Sequence, residues 1–371
     1  MPNIARDSMD FIMQMRPLFG EEEKKAINEY MDEGGFITEF KRTETFENMI
    51  AEYTGANHCV VVNNGTISLT LSALAAGVEQ GDEVIVPNYT MVATPNSVKM
   101  FGATPVFVDV EPDTLCLDID LVRQAITSKT KAIILVSANG RYPNAGIQAF
   151  ESLATEYGLI LLEDAAQGLG SYYPDGRHIG RAGLIGSFSF SAPKIISTGQ
   201  GGALITDCAV TAAKLRRLKD FGRSGGGNDI HETIGFNFKF TELQACIGIE
   251  QMKKLSSRVV RKKEIFGLYS KLLSDVDGIT LFDNNNETTA PWFIDCTATD
   301  REDLQSYLKD HNIGTRVMYP PINKQAAYNL PGDHNVSEFI GVSGLWLPSA
   351  VQLSDDEIGY ICGHIRDFYE K

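Results

Sequence analysis

Three short stretches of the 371-residue chain set chemically capable side chains at the ends of apolar runs. In "SFSFSAPKIISTGQGGALITD", from Ser187 to Asp207, an alternating apolar run meets a proline and Lys194 follows at once. A turn containing Gly199, Gly201 and Gly202 then leads into a second apolar run. A lysine placed this way is either a solvated hairpin residue or an amine used for chemistry. After "LILL" come Glu163, Asp164 and then Gln167; after "CVVV" come Asn63, Asn64, Gly65 and Thr66, the last opening a helical pattern. A glycine and a hydroxyl at a helix start offer free N–H groups and the positive end of the helix dipole to a phosphate. Ser189 and Ser191 precede the lysine.

Each stretch has an ordinary explanation. An N-G-T turn often only caps a helix, an acid at a strand end can be structural, and a lone loop lysine is usually solvated. Their combination matches the needs of pyridoxal 5'-phosphate: an amine for a Schiff base, a phosphate cradle, and a carboxylate that keeps the pyridine nitrogen protonated. The protonated ring is the electron sink for the carbanion left when an α-proton departs.

The elements that must position these residues alternate. "HCVVV", "DEVIVPNY", "TPVFVDV", "KAIILVSA" and "LILLEDAA" read as strands, separated by helical patterns such as "TISLTLSALAAG" and "IQAFESLATEYG". Short apolar strands alternating with helices predict βαβ units in a mostly parallel sheet covered on both faces. Ligands of such sheets collect at the carboxyl ends of the strands, where all three stretches fall. The fold expectation is therefore α/β, with a large domain at residues 1–250 and a smaller α+β domain at 251–371. Their boundary lies inside the helical run beginning "FTELQACIGIEQMKKL".

Bulk properties narrow the function classes. The net charge of -15 and the lack of a Lys/Arg run argue against nucleic acid as a partner. No window approaches the ~20 apolar residues of a membrane span, and the first 20 residues carry acids within their apolar stretch, unlike a signal peptide. Six cysteines without a C-x-x-C pair suggest reduced thiols in a cytoplasm rather than zinc or disulfides. His58, His178 and His231 show no metal spacing, and no metal is expected.

The chain resembles the fold-type I pyridoxal-phosphate enzymes, specifically the DegT/DnrJ/EryC1/StrS sugar aminotransferases, from about Leu18 to the C-terminus. The ordered motifs are "NNGTISL", "GDEVIVPNYTMVAT", "GATPVFVDV", "LLEDAAQGLGS", "GSFSFSAPKIISTGQGGALITD", "GFNFKFTELQACIG" and "IGTRVMYPP". The resemblance implies a seven-stranded large-domain sheet and covalent attachment of the cofactor to Lys194, with the pyridoxamine form as intermediate. It places Asp164 at the pyridine nitrogen, Gln167 near the ring hydroxyl, and Gly65, Thr66 and Ser189 at the phosphate. Asn237 would reach the neighbouring subunit's phosphate, making a homodimer with shared sites. The implied reaction is transfer of an amino group from L-glutamate to a keto-sugar. The motif set looks most like the perosamine-synthase group, whose acceptors are nucleotide-linked 4-keto-6-deoxyhexoses. A free or phosphorylated keto-sugar, a dehydratase or lyase reaction, and a non-catalytic role are the alternatives; the dehydratase branch carries histidine in place of the lysine.

Four positions depart from the family pattern. Met91 stands where an aromatic residue commonly stacks on the ring, a role Tyr89 could share; a thioether also packs on an aromatic face. "SANGRYPNAG" replaces a His-Leu-Tyr-Gly-like turn, Asn323 stands where histidine is common, and Gln200 where an acid is usual. Arg141, Arg223, Arg316 and Lys239 are candidate anion binders, with surface salt bridging as the plainer reading. Tyr89, Arg141, Lys239, Arg316 and Tyr319 are the expected substrate-binding residues. "SGGGND" reads as a mobile loop, its glycines too irregular for a dinucleotide fingerprint.

Overall fold

The computed structural model describes residues 10–225, 229–285 and 287–370, so Gly226, Gly227 and Asn228 of the glycine-rich loop lie outside the described residues. Helices α1 (Glu21–Glu33) and α2 (Lys41–Thr54) come first, each stopped by a glycine in the left-handed region, Gly34 and Gly55. Strands and helices then alternate: β1 (His58–Val62), α3 (Gly65–Ala75), β2 (Glu83–Pro87), α4 (Ala93–Lys99), β3 (Thr104–Val108), α5 (Ile119–Ala125), β4 (Thr130–Val136), α6 (Ile147–Tyr157) and β5 (Ile160–Asp164). The hairpin β6 (Ile185–Ser189) and β7 (Gly202–Thr206) follows, then α7 (Ala209–Lys219).

The seven strands form one sheet in the order β1-β7-β6-β5-β4-β2-β3. All neighbours are parallel except β7, which runs antiparallel to both β1 and β6. Alternate residues serve two cores: Val60, Val62, Val84, Ile134 and Leu204 on one face, Val61, Ile85, Ile133, Leu135 and Ile205 on the other. Coverage on both faces is why these strands carry so few polar residues.

Helix α8 (Glu242–Leu273) runs 32 residues without interruption and carries the chain into a second unit. There β8 (Ile279–Leu281), β9 (Ile294–Ala298), α9 (Arg301–Asp310), β10 (Arg316–Val317), α10 (Asn335–Ser343), β11 (Gly344–Leu347) and α11 (Asp355–Tyr369) build an antiparallel sheet, order β10-β11-β9-β8, with its own core. Ile265 and Tyr269 of α8 belong to that core, and so does Ile12, which bridges to Ile313. The expected division at residue 250 thus falls inside α8, and the first described residues pack with the C-terminal unit rather than with the sheet they precede. No helix among the described residues is long and apolar enough to cross a membrane.

Candidate active site

The carboxyl ends of β1, β5 and β6 and the start of β7 meet at one edge of the sheet, since Gly202 pairs with both Val62 and Ser189. Asn64 caps α3, its Oδ1 accepting the Ile67 N–H at 2.9 Å, while the N–H groups of Gly65 and Thr66 find no partner among the described residues. The approach is too close for larger residues. A Cβ at Gly65 would sit 2.8 Å from Ser189 Cβ, and one at Gly202 would sit 2.6 Å from the Asn64 carbonyl oxygen. Two unpartnered N–H groups at a helix start, with the Ser189 hydroxyl against them, make an anion cradle.

Lys194 lies in the β6–β7 loop and its amine sits 4.1 Å from the centroid of the Trp292 ring. Burial pushes the amine down to about 8, with the Arg316 guanidinium acting in the same sense and the Asp164 carboxylate opposing. Asp164, at the end of β5, is 5% exposed. Its Oδ2 accepts the Thr94 hydroxyl at 2.7 Å and its Oδ1 accepts the Ala166 N–H at 3.2 Å. Burial raises its affinity for a proton; Thr94, Ala166 and Lys194 counter that. Gln167 completes the group, its Oε1 accepting the Asn139 N–H at 2.7 Å.

These residues line a cavity of about 490 Å³ together with Asn63, Thr90, Met91, Gln200, Trp292, Arg316 and Tyr319. Met91 stands at its rim, 46% exposed, its sulfur accepting the Ala93 N–H. Arg316 lies 5.4 Å from the Trp346 ring and has no carboxylate partner among the described residues. Tyr319 packs edge-on against Trp346 at 4.8 Å. A larger cleft of about 630 Å³ near Glu39, Arg216 and Arg223 holds none of the group; pairs such as Arg216–Glu47 and Lys219–Glu39 occupy it.

Several expected site residues lie elsewhere. Arg141 is 4% exposed and closed into a fork on Asp295, with distances of 2.7 and 3.1 Å, and its Nε donates to the Thr114 carbonyl. It is a structural ion pair off the cavity, because a following strand end can aim an arginine at a buried carboxylate as readily as at a ligand. Tyr89 is buried behind Tyr319, ring centroids 5.8 Å apart, and does not line the cavity. Lys239 is bound to Asp220 at 2.6 Å, and Arg223 to Asp229 at 2.8 Å. Asn237 is exposed, pairs with Asp220 and is not among the residues lining its own chain's cavity, although the Phe238 carbonyl beside it accepts the Asn63 N–H. Asn323 is buried in a reciprocal pair with Asn88. His178 is a core residue, held neutral by burial that pushes it down to about 4.

Thr94, Asn139 and Trp292 support the site; Thr94 and Asn139 fall within the stretches "GDEVIVPNYTMVAT" and "SANGRYPNAG" but were not singled out as site residues, and no sequence signal marked Trp292. The Trp292 indole donates to the Pro193 carbonyl at 2.8 Å, bracing the lysine loop from a segment 99 residues away.

The arrangement fits pyridoxal phosphate. The cradle leaves no room for a Cβ, the buried carboxylate accepts two hydrogen bonds, and the amine is partly desolvated. Residues 17–366 match the DegT/DnrJ/EryC1/StrS aminotransferase family. The chain is 33% identical to a GDP-perosamine synthase of Escherichia coli O157:H7 over 97% of this chain and 99% of that protein. In structure it is similar to DesV of S. venezuelae, solved with a ketimine intermediate: TM-score 0.89, 31% identity, 96% of this chain and 99% of that one. It is also similar to the sugar aminotransferase Spr1654 of Streptococcus pneumoniae in its PMP form, with TM-score 0.90, 26% identity and 98% of both chains.

Proposed function

The chain belongs to the DegT/DnrJ/EryC1/StrS aminotransferase family, and from that premise we propose that it moves an amino group from L-glutamate to a nucleotide-linked 4-keto-6-deoxyhexose. It is a pyridoxal-phosphate-dependent sugar aminotransferase; donor, nucleotide and sugar are the proposed part. The observation that carries the reading is the Lys194 amine and the Asp164 carboxylate lining one cavity together with Arg316, which has no carboxylate partner among the described residues. The name of the Escherichia coli relative supports a nucleotide-linked acceptor.

Bound pyridoxal phosphate supplies a carbonyl carbon for the donor's nitrogen and a ring that accepts the electron pair released at Cα. The chain's own groups do the rest. Gly65, Thr66 and Ser189 hold the phosphate. Asp164 keeps a proton on the ring nitrogen, its negative charge sustained by Thr94 and Ala166. Lys194 would hold the cofactor through its amine and would move the proton at the donor's Cα; its lowered proton affinity suits a base working near neutral pH. Arg316 meets the donor's carboxylate, and Trp292 and Tyr319 exclude water from the mouth.

Asn237 serves the partner subunit's phosphate in a cytoplasmic homodimer. Its segment is exposed, as are the apolar side chains of Phe36, Ile37, Phe40, Phe221, Ile234 and Phe236, and exposed apolar residues gathered on one face support an interface there. Six free cysteines are consistent with a reducing compartment.

The test is the visible absorbance of the purified holoenzyme before and after L-glutamate is added without sugar. Loss of the visible band in favour of the amine form establishes the donor; an unchanged band overturns it. GDP-linked and dTDP-linked 4-keto-6-deoxyhexoses should then restore the band, whereas sugar 1-phosphates should not. Asp164→Asn should retain bound cofactor while donor conversion slows by at least about 100-fold.

A further inference from the structure

We propose that Asn139 is a positioning residue that orients the Gln167 amide, so that an N–H rather than a carbonyl oxygen faces the cofactor's ring hydroxyl. The inference rests on the reading of Gln167 as the neighbour of that hydroxyl. Asn139 lies in "SANGRYPNAG", one of the chain's departures from the family pattern.

Three observations converge. The Asn139 backbone N–H donates to Gln167 Oε1 at 2.7 Å. A backbone N–H can pair only with the oxygen of an amide, so the orientation of the side chain is decided. Gln167 Nε2 has no partner among the described residues, and Gln167 lines the cavity. Second, Asn139 has φ 54, in the left-handed region that asparagine tolerates better than most residues, and this rotation aims its N–H. Third, the Asn139 side chain is locked. Its Nδ2 donates to the Phe293 carbonyl at 2.9 Å and Asp295 Oδ1 at 3.0 Å, and its Oδ1 accepts the Phe293 N–H at 2.6 Å. Asp295 is in turn gripped by Arg141. The buried pair first expected to bind substrate instead fixes the turn that fixes Gln167.

A donor to the ring oxygen draws off the negative charge that stabilises the proton on the neighbouring Lys194 nitrogen. It therefore lowers the pH at which that proton is lost. The other groups facing the cavity that bear on this proton are Asp164, Arg316 and Tyr319, and the variants below leave them in place.

The experiment is a pH titration of the holoenzyme's visible absorbance, with the cofactor dissociation constant measured alongside. Gln167→Ala should raise the midpoint by about one pH unit and weaken cofactor binding roughly threefold. Asn139→Ala should reproduce most of that rise, and the double variant should rise no further than Gln167→Ala. Asn139→Gly keeps the left-handed turn accessible while removing the latch, so it covers the case in which the alanine variant misfolds; it too should raise the midpoint. If Gln167→Ala moves the midpoint while both Asn139 variants lower only the melting temperature, the positioning role is overturned and Asn139 is structural. If Gln167→Ala leaves the midpoint unmoved, the inference falls with the ring contact it rests on.

Discussion

Lys194 shows at the scale of one residue how enclosure makes chemistry. An amine in water holds its proton up to about pH 10.4, too tightly to react with an aldehyde at neutral pH. Desolvation beside the Trp292 ring and repulsion from Arg316 bring it to about 8, while Asp164 pulls the other way. The neutral amine is the reactive form, so uptake of pyridoxal phosphate by the cofactor-free protein should quicken as pH rises and level off above 8. Stopped-flow absorbance should find roughly a tenfold gain between pH 7 and pH 9, whereas an ordinary lysine would keep gaining to pH 10 and beyond. Arg316→Gln removes a nearby cation and should move the midpoint upward. Gly65, Thr66, Asp164, Gln167, Ser189 and Lys194 were legible in the sequence because each follows an apolar strand, where an α/β sheet puts its ligand. Trp292 and Thr94 were not, because what brings them there is packing between distant segments. Arg141 was misread because sequence gives the residue and its strand end but not the partner, Asp295, that awaits it.

Among elements, α8 does more than join the two units. Arg258 reaches from it to the Ile195 carbonyl at 2.9 Å, to Gln251 Oε1 at 2.6 Å and to the Leu18 carbonyl at 2.9 Å. Gln251 Oε1 also accepts the Ser197 N–H. The loop carrying Lys194 is thus held from behind by α8 and from the front by Trp292. Arg258→Ala would leave the buried Ile195 carbonyl unmet, while Gln251 Oε1 keeps the Ser197 N–H and the Leu18 carbonyl keeps Gln251 Nε2; it should cost about 2 kcal/mol in denaturant unfolding, with faster loss of bound cofactor, and Arg258→Lys should recover part of both. The helix was readable from its long periodic run and the absence of glycine or proline breaks strong enough to stop it. The C-terminal strands were harder. β10 falls within "GTRVMYP", which reads as a strand, but β8 and β11 pair only three and four residues, too few for an alternating pattern to declare itself.

For the whole molecule, the reading makes each cavity a product of two chains, and that is open to a direct test. Lys194→Ala and Asn237→Ala variants should each be nearly inactive alone. Unfolded together and refolded, they should form mixed dimers with one intact cavity, recovering about a quarter of native activity. Recovery at the level of the separate variants would mean that Asn237 serves its own chain or none. The sheet order carries a last consequence, for how the chain comes off the ribosome. β1, whose end forms the anion cradle, has β7 as its only strand neighbour among the described residues, and His58 of one pairs with Thr206 of the other. The cradle is among the first parts of the site to be synthesised, yet its strand waits unpaired until the lysine hairpin has been made. Closing so distant a pairing is slow. A nascent chain halted before β7 would expose an apolar edge and take up no cofactor, so the same hairpin that brings the amine to the site also decides when the site begins to exist.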